Sequence, residues 1–119
     1  MFYNVSNHPS AGWGGEQKAA AHALGGEIAD VPFPPIDPTL TATQVRALAT
    51  AFTAGMLDRL KPGDVVHVMG ELCAVHVIVG LLLARGVRCV ASTTVRQAEE
   101  LPDGSKLSHF RFVAFRDYV

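Results

Sequence analysis

Two short apolar runs, Val65–Met69 and Val87–Ala91, bracket a longer one, Leu72–Arg85, and this arrangement constrains the fold most. Short valine-rich runs read as strands buried on both faces, and the longer run between them reads as a helix. Strand, helix and strand in that order make a parallel pair joined by a crossover helix. The same alternation precedes it. Met1–Ser6 reads as a strand, about Gly15 to Leu24 as an alanine-rich helix stopped by Gly25-Gly26, and Glu27–Phe33 as a second strand. Val45, Leu48, Ala49, Phe52, Met56 and Leu60 then repeat at helical spacing behind a cap at Thr41 or Thr43. The expected architecture is α/β, one domain over residues 1–119, with a mostly parallel sheet flanked by helices.

Punctuation supports these boundaries. Pro32-Phe33-Pro34-Pro35-Ile36-Asp37-Pro38 holds too many prolines for a central strand or a helix interior and reads as a rigid connection. Lys61-Pro62-Gly63-Asp64 is a stop and turn. In the last third, Pro102-Asp103-Gly104 separates Thr94–Glu100 from Leu107–Phe115, which predicts a C-terminal β-hairpin. Phe110 and Phe112 should share one face and Arg111 and Val113 the other, with the alternation failing at Phe115.

Composition narrows the function classes. The chain has 119 residues, 49% of them apolar, and a formal net charge of −1. Near-neutrality argues against a general electrostatic grip on long nucleic acid but leaves room for a small anion in a local pocket. Leu72–Ala84 is too short to span a membrane, and Met1 leads directly into a strand-like run with no signal peptide visible, so a cytoplasmic location is expected. Cys73 and Cys89 read as small core residues in a reducing compartment.

Three polar clusters follow expected strand ends: Ser6-Asn7-His8, Gly70-Glu71, and Ser92-Thr93-Thr94-Val95-Arg96. Ligands of open α/β sheets bind beyond the carboxyl ends of strands, which makes these clusters candidate site residues. His8 can move a proton near neutral pH, and Asn7 and Ser10 beside it can bond a hydroxyl or phosphate oxygen; equally, the segment can be a solvated turn. Trp13 and Gln17, one helical turn apart, could stack on and read a purine, or the tryptophan could simply cover the sheet edge. Gly70 lets a ligand approach the backbone, while Glu71 is either a ribose acceptor or a helix-dipole partner. Ser92, Thr93, Thr94 and Arg96 form the densest set of phosphate donors. Arg111 could reach a phosphate or pair with a surface carboxylate. His22, His67, His76 and His109 show no metal-ligand spacing and read as structural, so no metal and no cofactor are expected. No nucleophile elbow surrounds Ser6 or Ser10.

The segments Gly63–Glu71, Ser92–Arg96, Asp103-Gly104 and Phe110–Tyr118, with Asn7-His8 near the start, are similar to the small stand-alone CRISPR-associated ring nucleases. That resemblance implies a Rossmann-like domain related to the CARF sensor domains of type III CRISPR effectors. It implies a homodimer that binds a cyclic oligoadenylate messenger, cleaves it without metal and so switches the defence off. By position, Asn7, His8, Glu71, Thr93, Thr94, Arg96 and Arg111 would form the pocket. Val95 stands where an acidic residue is expected and Ala114 where a basic one is usual.

The residue types suit such chemistry. A 2′-hydroxyl can attack the adjacent phosphorus and leave a 2′,3′-cyclic phosphate if the ring is held in line. Arg96 and Thr94 would stabilise the phosphorane and His8 would protonate the leaving 5′-oxygen. The expected substrate is cyclic tetra-adenylate. The alternatives are a protein that senses or sequesters the same messenger without cutting it, and a different nucleotide-processing enzyme on the same fold.

Overall fold

A computed structural model describes residues 1–119. The strands are β1 (Phe2–Ser6), β2 (Ile28–Pro32), β3 (Val65–Val68), β4 (Arg88–Glu100) and β5 (Lys106–Asp117); the helices are α1 (Gly15–Gly25), α2 (Ala42–Leu57) and α3 (Leu72–Ala84). They form one five-stranded sheet in the order β2-β1-β3-β4-β5. β1 pairs in parallel with β2 and β3, β3 pairs in parallel with β4, and the β4–β5 hairpin is antiparallel.

The order explains the burial. β1 and β3 lie in the middle and are buried along their whole lengths. Alternate residues face opposite layers. Tyr3, Val5, Val66, Val68 and Cys89 pack with Val45, Ala49 and Met56 of α2 and Val77, Ile78 and Leu82 of α3. Phe2, Val65 and Val90 point the other way and pack with Ala21 of α1. Helices therefore cover both faces, and the connection changes sides between β1 and β3, the switch point where open α/β sheets bind ligands.

Local signals set the element ends. Thr41, not Thr43, caps α2: its Oγ1 accepts from Gln44 N at 3.3 Å, and Gln44 Oε1 accepts from Thr41 N at 2.9 Å. Gly26 ends α1 at φ 83°, a conformation that favours glycine. Tyr118 Oη donates to Val68 O at 2.8 Å and fastens the C-terminus across the sheet.

Two expectations are corrected. β4 does not stop at Ala91 but runs through Ser92 and Thr93 into the expected hairpin arm Thr94–Glu100, so the polar cluster lies inside one strand rather than beyond its end. The cause is β5, whose pairing with β4 from Val90↔Asp117 to Glu100↔Lys106 supplies backbone partners along the whole run. Along α3, Ala74, Val77, Ile78, Val79 and Leu82 are buried and Leu72 is 82% exposed. Cys73, in its first turn, is exposed, whereas Cys89 is a core residue as expected.

The broken alternation at Phe115 has a structural cause. The hairpin register slips between Thr93 and Thr94, where Ala114 opposes the first and Phe112 the second. The extra residue, Val113, forms a β-bulge that changes the parity of β5. Phe110, Phe112 and Phe115 thereby stand opposite Arg96, Thr94 and Ser92 on a common face.

Candidate functional site at the sheet switch point

A hollow of about 360 Å³ opens beside the carboxyl ends of β1 and β3, on the α1 side of the sheet. Its walls include Ser6 and His8 after β1, Trp13 before α1, Gln17 in the first turn of α1, His67 and Met69 at the end of β3, and Ser92, Thr94, Phe110 and Phe112 of the hairpin. Other hollows are as large or larger, among them one of about 420 Å³ between α2 and α3. That one is mainly apolar and no hydrogen-bonded polar chain enters it; chemistry, not volume, singles out the switch-point cavity.

The floor of the cavity is a hydrogen-bonded chain. Asn4, 1% exposed, points from β1 toward the α1 layer. Its Nδ2 donates to Asp30 Oδ1 of β2 at 2.8 Å and to His8 O at 2.9 Å. Two acceptors at Nδ2 fix the amide orientation, so Oδ1 faces the other way. There it accepts from Ser6 Oγ at 2.8 Å and lies 2.9 Å from His67 Nδ1. A carbonyl oxygen can only accept, so the proton of neutral His67 sits on Nδ1 and Nε2 keeps its lone pair. Ser92 Oγ, 3.2 Å from Nε2, then donates to it.

Electrostatics agree with this proton placement. His67 is 2% exposed. Burial pushes its pKa down to about 4, and the charge on His8 acts in the same direction. Phe2 stacks beside the ring at 6.1 Å, and Trp13 and Phe115 meet it edge-on at 5.6 and 5.3 Å. Burial opposes the charge of Asp30, but the donors Asn4 Nδ2, Ser10 N and Ser10 Oγ outweigh it and hold the carboxyl below its usual range. His8 is held by its backbone, its N–H donating to Ser6 Oγ at 3.2 Å, while its exposed ring borders the cavity.

The sequence candidates divide. Ser6, His8, Trp13, Gln17, Ser92 and Thr94 meet in the cavity. Trp13 is not on the helix with Gln17, however; it follows a 3₁₀ turn at Ser10–Gly12, two residues before α1 begins. Ser10 supports the site through Asp30 rather than lining it. Asn7 is exposed at the turn next to His8.

Five candidates lie outside the cavity. Glu71 caps α3, its two carboxylate oxygens accepting from Cys73 N at 3.0 Å and Ala74 N at 2.7 Å. Two amides of that first turn are thus already taken by Glu71, and the bond from Ala74 leads in lowering the Glu71 pKa. Gly70 has Phe33 against it, so close that a Cβ would lie 2.6 Å from the ring. Thr93 stands on the opposite face from Thr94 and donates to Ala114 O at 3.1 Å. Arg111 pairs with Glu16 at 3.4 Å instead of a hairpin carboxylate. Arg96 shares the cavity's face of β4 but lies further along the hairpin, where it donates to Ser108 Oγ at 2.9 and 3.2 Å.

Asn4, Asp30 and His67 escaped the sequence reading. His67 is a buried residue of the sheet, as expected, but its Nε2 accepts from a cavity hydroxyl, Ser92 Oγ. Its only signal in the sequence is the interruption of the valine run Val65–Val68.

Fold and site together define a small α/β protein with an aromatic-walled, polar-floored hollow at the switch point of its sheet. The chain belongs to the family described as Uncharacterized protein MJ1673 family, whose sequence profile matches residues 1–116. No curated protein and no solved structure was found to match it.

Proposed function

We propose that this chain is a cytoplasmic, homodimeric, metal-independent ring nuclease with a Rossmann-like, CARF-like fold. It opens cyclic oligoadenylate, with cyclic tetra-adenylate as the expected substrate, and thereby ends type III CRISPR signalling. The observation that carries this reading is the meeting of His8 with Trp13, Gln17, Ser92 and Thr94 in one cavity at the switch point. An aromatic face and an amide suit a base, hydroxyls suit a phosphate, and an imidazole at the rim suits a leaving oxygen.

The reaction needs no group beyond the chain and its substrate. Stacking on Trp13 holds one adenosine, and contacts to Gln17 and Thr94 set the sugar–phosphate so that the 2′-oxygen lies in line with the leaving 5′-oxygen. As the 2′-hydroxyl gives up its proton to a base at the cavity wall, its oxygen bonds phosphorus, the P–O5′ bond breaks and His8 gives its proton to the 5′-oxygen. The product carries a 2′,3′-cyclic phosphate and a 5′-hydroxyl.

The cavity has the scale of a small-molecule site and suits one nucleotide rather than a whole ring. The remaining nucleotides therefore extend over the hairpin or onto a second copy. On that hairpin Phe110, on the cavity's face, is 72% exposed and Val95, on the opposite face, 45%, so each face offers an apolar side chain to a twofold partner. Arg96, on the cavity's face of β4, stands where a ring spreading along the hairpin would meet a cation.

The position of the arginines favours a second reading, sequestration without cleavage. Neither Arg96 nor Arg111 lines the cavity, so phosphorane stabilisation by a guanidinium requires either to leave its present partner. Incubation with radiolabelled cyclic tetra-adenylate and a chelator, followed by chromatography, separates the two. A linear product with a 2′,3′-cyclic phosphate supports the nuclease; intact ring bound at stoichiometry supports sequestration, and no binding rejects both.

A further inference from the structure

We infer that Ser92 and His67 are the proton-accepting side of the reaction, with Ser92 Oγ the group that touches the nucleophile. The inference rests on the ring-nuclease reading and adds its missing base.

Four residues on four strands form one directional chain. Asp30 on β2 accepts from Asn4 on β1, Asn4 Oδ1 accepts from His67 Nδ1 on β3, and His67 Nε2 accepts from Ser92 Oγ on β4. Each link follows from the donor and acceptor capacities of its groups, and the chain ends on a hydroxyl at the cavity wall. A buried imidazole whose lone pair faces a cavity serine is the arrangement that activates a hydroxyl by removing its proton. The residues sit on strands, not loops, so the geometry is rigid.

The proton balance closes. The 2′-hydroxyl of the bound nucleotide passes its proton to Ser92 Oγ as Ser92 passes its own to His67 Nε2. The 2′-oxygen forms its bond to phosphorus, the P–O5′ bond breaks, and His8 supplies the proton taken by the 5′-oxygen. Afterwards His67 returns its proton through Ser92 and solvent, and His8 is reprotonated, so the cycle consumes no net proton. Burial and a charge on His8 both disfavour a charge on His67, so His67 rests neutral with Nε2 in the accepting state. Of the titratable groups, His8 and Asp30 face this chain; its other neighbours are Phe2, Trp13 and Phe115. Ser92 is the catalytic residue here, and Asn4 and Asp30 are positioning residues.

The test compares wild type, Ser92→Ala and Ser92→Thr in single-turnover opening of cyclic tetra-adenylate with chelator present. Affinity is measured separately by calorimetry on the 2′-deoxy ring, which lacks the nucleophile. Ser92→Ala is expected to slow opening by about 10²–10⁴-fold with little change in affinity, and Ser92→Thr to recover much of the rate. A ring whose leaving 5′-oxygen is replaced by sulfur, which departs without a proton, should rescue His8→Ala but not Ser92→Ala. Nitrogen NMR of the free protein should find His67 protonated at Nδ1 and bare at Nε2. Undiminished cleavage by Ser92→Ala, its rescue by the sulfur ring, or a proton on Nε2 overturns the inference and leaves the nuclease reading standing. A wild type that opens no ring overturns both.

Discussion

His67 Nδ1 meets Asn4 Oδ1 at 2.9 Å across the two central strands, and this contact ties the cavity to the core. Asn4 and His67 are adjacent partners in the β1–β3 register, so the bond lies flat on the sheet. It places a polar chain where the neighbouring positions Phe2 and Val65 are purely apolar. Such a chain is tolerated because every buried side-chain polar atom in the protein has a partner.

The pH dependence of stability follows from the same histidine. Its folded pKa of about 4 lies below the ordinary value near 6.5. The unfolded chain therefore takes up its proton first as pH falls. The contribution of neutral His67 is fully present above about pH 6.5 and lost progressively down to about pH 4, amounting to about 3 kcal/mol. Urea midpoints should fall through that window, above the range where Asp30 and Glu71 titrate. A midpoint unchanged between pH 6.5 and 4.5 would contradict the buried neutral state.

His8→Ala should lower cleavage of cyclic tetra-adenylate by about 10²–10⁴-fold while binding largely survives. The ring of His8 borders the cavity, and only its backbone holds the turn, so the substitution leaves the fold intact. Single-turnover kinetics and calorimetry provide the check. Unchanged turnover would remove His8 from the mechanism.

Trp13 is the single tryptophan of the chain, and it lines the cavity, so intrinsic fluorescence reports on the site directly. Titration with cyclic tetra-adenylate should quench or shift its emission, since stacking on a base is worth about 1–3 kcal/mol. Emission indifferent to saturating ligand would place the base elsewhere.

Two glycines should respond oppositely to alanine. A Cβ on Gly25 would lie 2.8 Å from Phe2 Cβ and 2.9 Å from the Phe2 backbone, which cannot rotate away. Gly25→Ala is expected to cost about 1–3 kcal/mol. Gly80 lies exposed inside α3 with open space around it, and Gly80→Ala should stabilise by about 0.5–1 kcal/mol. Thermal melts of the two variants decide the matter.

The strands, helices and hairpin were legible because their signals are local. Valine runs, Gly25-Gly26 and Pro102-Asp103-Gly104 each act within a few residues. The cavity was legible in part, since Ser6, His8 and Ser92 lie near the apolar runs that build the sheet. The histidine at its centre was not. A lone His67 on a buried strand resembles a core residue until its partners are known, and these lie 63 and 25 positions away in the chain. The run ending at Ala91 and the hairpin arm at Thr94 read as two strands because the polar run from Ser92 interrupts the apolar signal, while the β5 strand that joins them into one comes later. Glu71 was ambiguous for a simpler reason: a carboxylate before a helix satisfies the helix end or a ligand with the same atoms, and here it satisfies the helix.

The single unpaired residue in the hairpin carries a consequence for how this surface could change. Val113 sets which face of the hairpin each side chain of the outer half of β5 takes. Deleting it, with the inner pairing of Phe115–Asp117 kept, would invert residues 106–112: Phe110 and Phe112 would leave the cavity and Arg111 would enter it. One lost codon would thus exchange an aromatic wall for a cationic one without altering any other residue.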